Sequence, residues 1–223
     1  MMPPLSRRAR RRLAIALVAL SAPLTGGCQL LTWAVASFVP PPKTPARYTL
    51  DPSYRVMVIP DSQYCRLEMP MARDLLAEKV TQRLAAKNLV AETVPYAWLR
   101  MVQERMDLEY QAAHGRPTPL DAMAKKASAD AVIHIDIRSF HLRAAPGLPL
   151  WHGRMTAVVS VVDADGRRLW PADRVDGYPL SVDMPTVSDD NAMYAMTLTE
   201  QLADQMAVQV VRLFHEHDGS SPG

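Results

Sequence analysis

Between Tyr48 and Phe214 the spacing of apolar residues changes several times, and each change predicts an element. Arg55-Val56-Met57-Val58-Ile59 is closed by Pro60 and reads as a buried strand. Pro70 suits a helix start. After it Met71, Leu75, Leu76, Val80 and Leu84 recur at helical spacing, and Asn88 offers a left-handed stop. Leu89 to Val94 reads as a short second strand. Tyr96 to Ala113 carries Leu99, Val102 and Met106 on one helical face and stops at Gly115 and Pro117. Thr118 and Asp121 have the spacing of a capping box, with Asp for the usual Glu, opening a short helix through Ala127.

Farther on the period falls to two. Ile133, Ile135 and Ile137 alternate with His134, Asp136 and Arg138, as in a half-buried strand. The phase slips at Ser139, because Phe140 and Leu142 take the parity of the polar face, and a bulge is expected there. Met155 to Val162 is a long apolar run. Asp163-Ala164-Asp165-Gly166 turns it into Arg167 to Trp170, with Gly166 supplying a positive φ. Residues 173–188, with Pro179 and Pro185, read as a long loop. A last helix is expected over Asp190 to Phe214, carrying Met193, Leu198, Leu202, Met206, Val210 and Leu213. The predicted order is β-α-β-α-α-β-β-β-α, a single α/β domain built as a mixed-sheet sandwich over residues 48–215. A flexible tail, 216–223, follows.

The amino terminus follows a different pattern. Arg7, Arg8, Arg10, Arg11 and Arg12 precede the apolar run Leu13 to Leu20, and small residues lead to Leu24-Thr25-Gly26-Gly27-Cys28. This is the layout of a secretory signal over residues 1–27, and its end resembles the lipobox of bacterial lipoproteins. Thr25 and Gly26 stand where Leu and Ala or Ser are commoner. The resemblance implies cleavage before Cys28 and lipid attachment to it. Gln29, in place of the Asp that commonly retains lipoproteins in the inner membrane, implies the periplasmic face of the outer membrane. The rival reading is a retained transmembrane anchor, since Leu13 to Val39 carries no charge and is long enough to span a bilayer. Pro23, the Gly26-Gly27 pair and Gln29 interrupt it. Residues 28–47, apolar and then proline-rich through Pro40-Pro41-Pro42, read as a tether.

Removing the signal changes the charge. Five arginines and no acids leave with it, so 20 basic residues face 23 acidic ones and the formal charge is −3 rather than +2. Nucleic-acid binding, which needs a sustained basic patch, loses its support. With Cys28 lipidated, Cys65 is the one remaining thiol, so no internal disulfide forms, and Cys65 is expected to be buried and inert.

Three segments of the domain resemble landmarks of one superfamily: Val56 to Pro60, Ala129-Asp130-Ala131-Val132-Ile133, and Val161 to Gly166 running on to Trp170. The superfamily includes the curli secretion channel lipoprotein, the amino-terminal domain of TolB and lipoprotein activators of peptidoglycan synthases. A glycine often stands just after the start of its middle strand, where this chain has His134. Tyr48-Thr49-Leu50 is similar to a triplet near the mature start of auxiliary lipoproteins of lipid-transport ABC systems. The resemblance implies an envelope lipoprotein that binds or assembles other envelope components without chemistry of its own. Self-association into a homo-oligomer is compatible with it.

Catalytic signatures are missing: there is no G-x-S-x-G, no H-E-x-x-H and no phosphate-binding glycine loop. No cofactor is expected. His134 and Asp136, two apart on one strand face, with His141 and His152 able to approach across neighbouring strands, are the best candidates for a metal or an acid–base pair. The alternative functions are an auxiliary lipoprotein of a lipid-transport ABC system, which the Tyr48-Thr49-Leu50 likeness implies, and a periplasmic metal-dependent enzyme using His134 and Asp136. The plainer reading is a polar strand face. Asp163 and Asp165 resemble half a calcium loop but lack its other ligands. His215 and His217 suit a helix carboxyl end. Of thirteen methionines, Met71, Met106, Met123, Met193 and Met206 lie on helix stripes and are read as adaptable packing or as a partner-binding face. Within loop 173–188, Tyr178, Leu180 and Met184 are candidates for partner contact or for packing across the sheet.

Overall fold

A parallel sheet forms where strands are joined through helices, and this chain does that twice before turning to hairpins. The computed structural model describes residues 43–115, 118–143, 150–188, 191 and 193–219. The predicted signal, Cys28, the Leu13 to Val39 anchor reading and most of the tether lie outside them. The chain divides into two units, residues 45–217 and residues 1–44 with 218–223. The second contributes the two-residue strand Lys43–Thr44.

In the larger unit β1 is Arg55–Asp61, α1 Met71–Ala86, β2 Glu92–Thr93, α2 Tyr96–His114 and α3 Leu120–Ala127. Then come β3 Ala131–Arg143, β4 Leu150–Asp163, β5 Arg168–Trp170, β6 Tyr178–Asp183, β7 Val187–Ser188 and α4 Tyr194–Arg212. β1 lies between β2 and β3, parallel to both, and β4 is antiparallel to β3. The far edge of β4 is shared along its length by β5, β6 and β7, all antiparallel. The mixed-sheet α/β expectation holds.

Alternation along the strands divides the core. Val56, Val58, Ile133, Ile135, Ile137, Met155 and Val159 face α1 and α4. Met57, Ile59, Val132 and Val162 face α2 and α3 through Leu99, Met123 and Ala127. α1 and α4 are tied on their outer side by Arg83 to Asp204 at 2.7 Å and Lys79 to Glu200 at 3.5 Å. α2 is held more loosely, with Leu99 as its buried residue and Met101 and Leu108 exposed.

The predicted landmarks have structural roles. Asp130 bonds Arg55 on both sides: its Oδ2 accepts from the Arg55 amide at 2.8 Å, and its own amide donates to the Arg55 carbonyl at 2.8 Å. This aligns the starts of β1 and β3. Gly166 has φ 78°, and Asp163 Oδ1 accepts from the amides of Asp165 and Arg167 at 2.9 and 2.8 Å. Those aspartates therefore make a turn. Trp170 stacks on Tyr48 and Tyr178 and meets Phe214 edge-on. Leu50 is buried, so the Tyr48-Thr49-Leu50 triplet is part of the packing.

Several expectations need correction. Residues 173–188 are not one loop: they contain β6 and β7, both paired to β4. Pro179 is tolerated there because β6 is an edge strand, where a missing N–H costs no ladder bond. Leu89 to Val94 contracts to Glu92–Thr93, since Val90 and Val94 turn into opposite core layers. Thr118 caps nothing through its side chain; Pro119 is the cap residue, and the Thr118 amide donates to Asp107 Oδ1 at 2.9 Å. α4 begins at Tyr194. The bulge is present between Ile137 and Ser139, with a second shift between His141 and Arg143.

Candidate functional site

The order of parallel strands reverses at β1. The chain runs from β1 through α1 to β2 on one side, then through α2 and α3 to β3 on the other. Right-handed crossovers in opposite directions cover opposite faces of a sheet. They leave a crevice outside the carboxyl end of the central strand, the position where open α/β sheets bind ligands. Here that crevice is a cavity of about 500 Å³ between the end of β1, the loop after it, α2, the start of α3 and β3.

His134 and Asp136 both line it, because even positions of β3 face α2 and α3 while the isoleucines face the other way. Their neighbour is Asp61, the last residue of β1, which is the register partner of Asp136. Sequence reading missed Asp61. Its signal was its place at the end of an apolar strand, but pairing that end with Asp136 required the register. His134 Nε2 lies 3.9 Å from Asp61 Oδ2. Asp136 is 8% exposed, and its Oδ2 accepts from Arg138 at 2.7 Å. Among the described residues its Oδ1 receives no hydrogen bond, and neither does the buried Oγ1 of Thr118 across the cavity.

The environments push the two carboxyls apart. Burial raises the pKa of Asp136 above the usual carboxylate value, outweighing Arg138 and His134, and the charge of Asp61 adds to the rise. Burial also acts on Asp61, but the His134 ring and the Ser62 amide, 2.6 Å from its Oδ1, hold its pKa below that value. Perturbed carboxyls of this kind, placed in a cleft, are a mark of functional sites.

His141 and His152 do not join them. His141 is exposed near Glu68, 3.9 Å away. His152 sits at the start of β4, with Asp183 at 3.1 Å and the Thr186 hydroxyl at 3.2 Å. The bulge and the long reach of β3 past β1 separate the four residues into three places. No group of three or more His, Cys, Asp or Glu among the described residues is arranged to hold a metal ion.

Tyr178, Leu180 and Met184 are half-buried and pack against the main core, Tyr178 by stacking on Trp170. Cys65 is half-buried rather than buried; its Sγ lies 3.3 Å from the Ile137 carbonyl, and burial raises its pKa. Of the stripe methionines, Met123 and Met206 are buried, Met71 and Met106 half-buried and Met193 exposed. No described helix is long and apolar enough to cross a membrane.

No protein-family model matches the chain, and no curated protein matches it. Solved structures similar to it include bacterial lipoproteins. The PelC dodecamer from Paraburkholderia phytofirmans is 11% identical, with 78% of this chain and 96% of that one covered and a TM-score of 0.41. Lipoprotein GNA1162 from Neisseria meningitidis is 15% identical, covering 69% and 98%, with a TM-score of 0.41. The hypothetical protein CT253 from Chlamydia trachomatis is 13% identical, covering 72% and 96%, also with a TM-score of 0.41.

Proposed function

We propose that this chain is a lipid-anchored envelope lipoprotein, held by Cys28 at the periplasmic face of the outer membrane, that binds or assembles other envelope components without catalysing a reaction. The observation that carries the reading is Leu24-Thr25-Gly26-Gly27-Cys28 behind an arginine-rich and then apolar start. The separation of His134 and Asp136 from His141 and His152 supports binding over metal-dependent chemistry. Tyr48 packs on Trp170 and Leu50 in the core, so the triplet that suggests the lipid-transport alternative also has a structural role.

The test is Cys28→Ser in the full chain, compared with the parent by fatty-acid labelling and by size. The thiol is the atom that takes lipid in proteins with this signal, so the variant is expected to take up no labelled fatty acid and to keep precursor size, its uncleaved apolar start still holding it in the membrane, whereas the parent is labelled and shorter. A parent that takes no label and has the same size as the variant would replace the lipid anchor with a retained apolar span over Leu13 to Val39. Capture with the lipidated protein from its own membranes then identifies the bound component.

A further inference from the structure

α2 carries apolar side chains on two faces, and the fold uses one of them. Its inward face holds Leu99, buried, with Val102 and Met106 half-buried. Its outward face presents Trp98, Met101, Arg105, Leu108 and Ala112, alternately three and four residues apart, and all five are exposed. Trp98 is 38% exposed, Met101 63% and Leu108 73%. Strict alternation of three and four is the spacing of a seam between two paired helices, narrower than the stripe a helix turns toward a core. At 1.5 Å per residue the seam runs for about 21 Å.

The charges along this stripe point to its occupant. Arg105 stands in the middle of the seam with Glu104 beside it; both are exposed, and neither forms an ion pair among the described residues. In a parallel pair of such helices Arg105 would face Arg105, putting like charges in the seam. A two-fold axis crossing α2 near Glu104 and Arg105 makes the pair antiparallel instead. Trp98 and Met101 of each copy then meet Leu108 of the other, and each Arg105 reaches Glu104 of the other. Complementarity of a surface to itself under a two-fold is what an isologous dimer requires. A bilayer fits this face less well: α2 sets Arg100 and Arg105 against Glu104, Asp107 and Glu109, and lacks the cationic flank of a helix that lies on anionic lipid.

We propose that two copies of this chain pair through α2, antiparallel about a two-fold axis beside Arg105, with Trp98, Met101 and Leu108 as the buried contact. One helix from each side makes an interface at the small end of specific ones, so the pairing depends on concentration. It goes beyond the envelope-binding function and does not rest on the anchor at Cys28.

The experiment is analytical sedimentation of the full-length chain in detergent over a range of concentrations, where a dimer in equilibrium with monomer is expected. Met101→Asp together with Leu108→Asp weakens the dimer about tenfold or more, as loss of central apolar contacts does. The melting temperature stays at the parent's value, because both side chains are exposed. Glu104→Arg alone and Arg105→Glu alone also weaken the dimer, and the two together restore it. Orientation is read by oxidative cross-linking in a Cys65→Ser background. Ala112→Cys is expected to link to Trp98→Cys in an equimolar mixture of the two variants, and neither links to itself. A parent that stays monomeric at the highest concentration overturns the pairing and leaves the stripe to lipid or to another envelope component. A dimer that survives the paired aspartates overturns it too, as does a double charge swap that fails to restore the dimer. Self-linking of Trp98→Cys would refute the antiparallel arrangement.

Discussion

Asp61 and Asp136 show how one residue type takes opposite roles from its surroundings. Asp61 has its pKa held below the usual value of 3.8, so its stabilising contribution is present above that value and is lost as pH falls through the lowered folded pKa. Asp136 is raised above 3.8, so its contribution is present in acid and is lost as pH rises through the raised folded pKa. Asp61→Asn is therefore expected to be less stable than the parent at neutral pH, with the deficit closing in acid. Asp136→Asn gains on the parent as pH rises. Denaturant midpoints measured from acid to neutral pH check both, and identical pH slopes in parent and variants would refute them. Gly177 is a second residue-scale case. Its φ is 100°, and an added Cβ would lie 2.6 Å from Val158 Cγ1 and 2.9 Å from the Val159 carbonyl oxygen. Gly177→Ala is expected to cost roughly 1–3 kcal/mol, from overpacking and left-handed strain together. A melting temperature equal to the parent's would mean that the turn before β6 relaxes freely.

At the scale of elements, β6 is where reading and structure part. Proline, glycine and aspartate are frequent in 173–188, and those residues mark turns. Yet Tyr178, Leu180, Val182 and Met184 recur every second position, and all four meet the core. That alternation was readable; Pro179 obscured it. Replacing Tyr178, Leu180 and Met184 together with Ser is expected to lower stability by about 1 kcal/mol for each half-buried side chain. Thermal or denaturant unfolding measures this. An unchanged midpoint combined with weaker capture of a partner would return these residues to the interface reading. The helices were easier, because α1 and α2 end at Asn88 with φ 51° and Gly115 with φ 68°, residues whose left-handed preference is local.

For the molecule as a whole, the larger unit closes on itself. The amides of Arg47 and Tyr48 both donate to the Leu213 carbonyl, at 2.8 and 3.0 Å, and Trp170 gathers Tyr48, Tyr178 and Phe214 around it. A fragment of residues 45–217 is therefore expected to fold cooperatively by itself, with no change in melting temperature on adding zinc or calcium. A ligand bound by the native state alone raises stability, so a metal-dependent upward shift would contradict the expectation. Starting the fragment after Tyr48 removes both amides and the first ring of the stack, and its melting temperature should fall below that of 45–217.

What the sequence determined by itself is what short-range physics decides. Periods of two and of 3.6, left-handed stops and a glycine turn each depend on residues a few positions apart. The alternation along β3 also put His134 and Asp136 on one face, which the fold preserved. Only the tertiary structure could decide which other residues met them. The pairing of Asp61 with Asp136 depends on the register of two strands 75 residues apart, measured by the Arg55–Asp130 clamp at their starts. The place of Thr118 in the cavity wall depends on where α2 and α3 come to rest, and the dispersal of His141 and His152 on two register shifts. Register and helix placement follow from the packing of both faces of the sheet at once, and no local pattern carries that information.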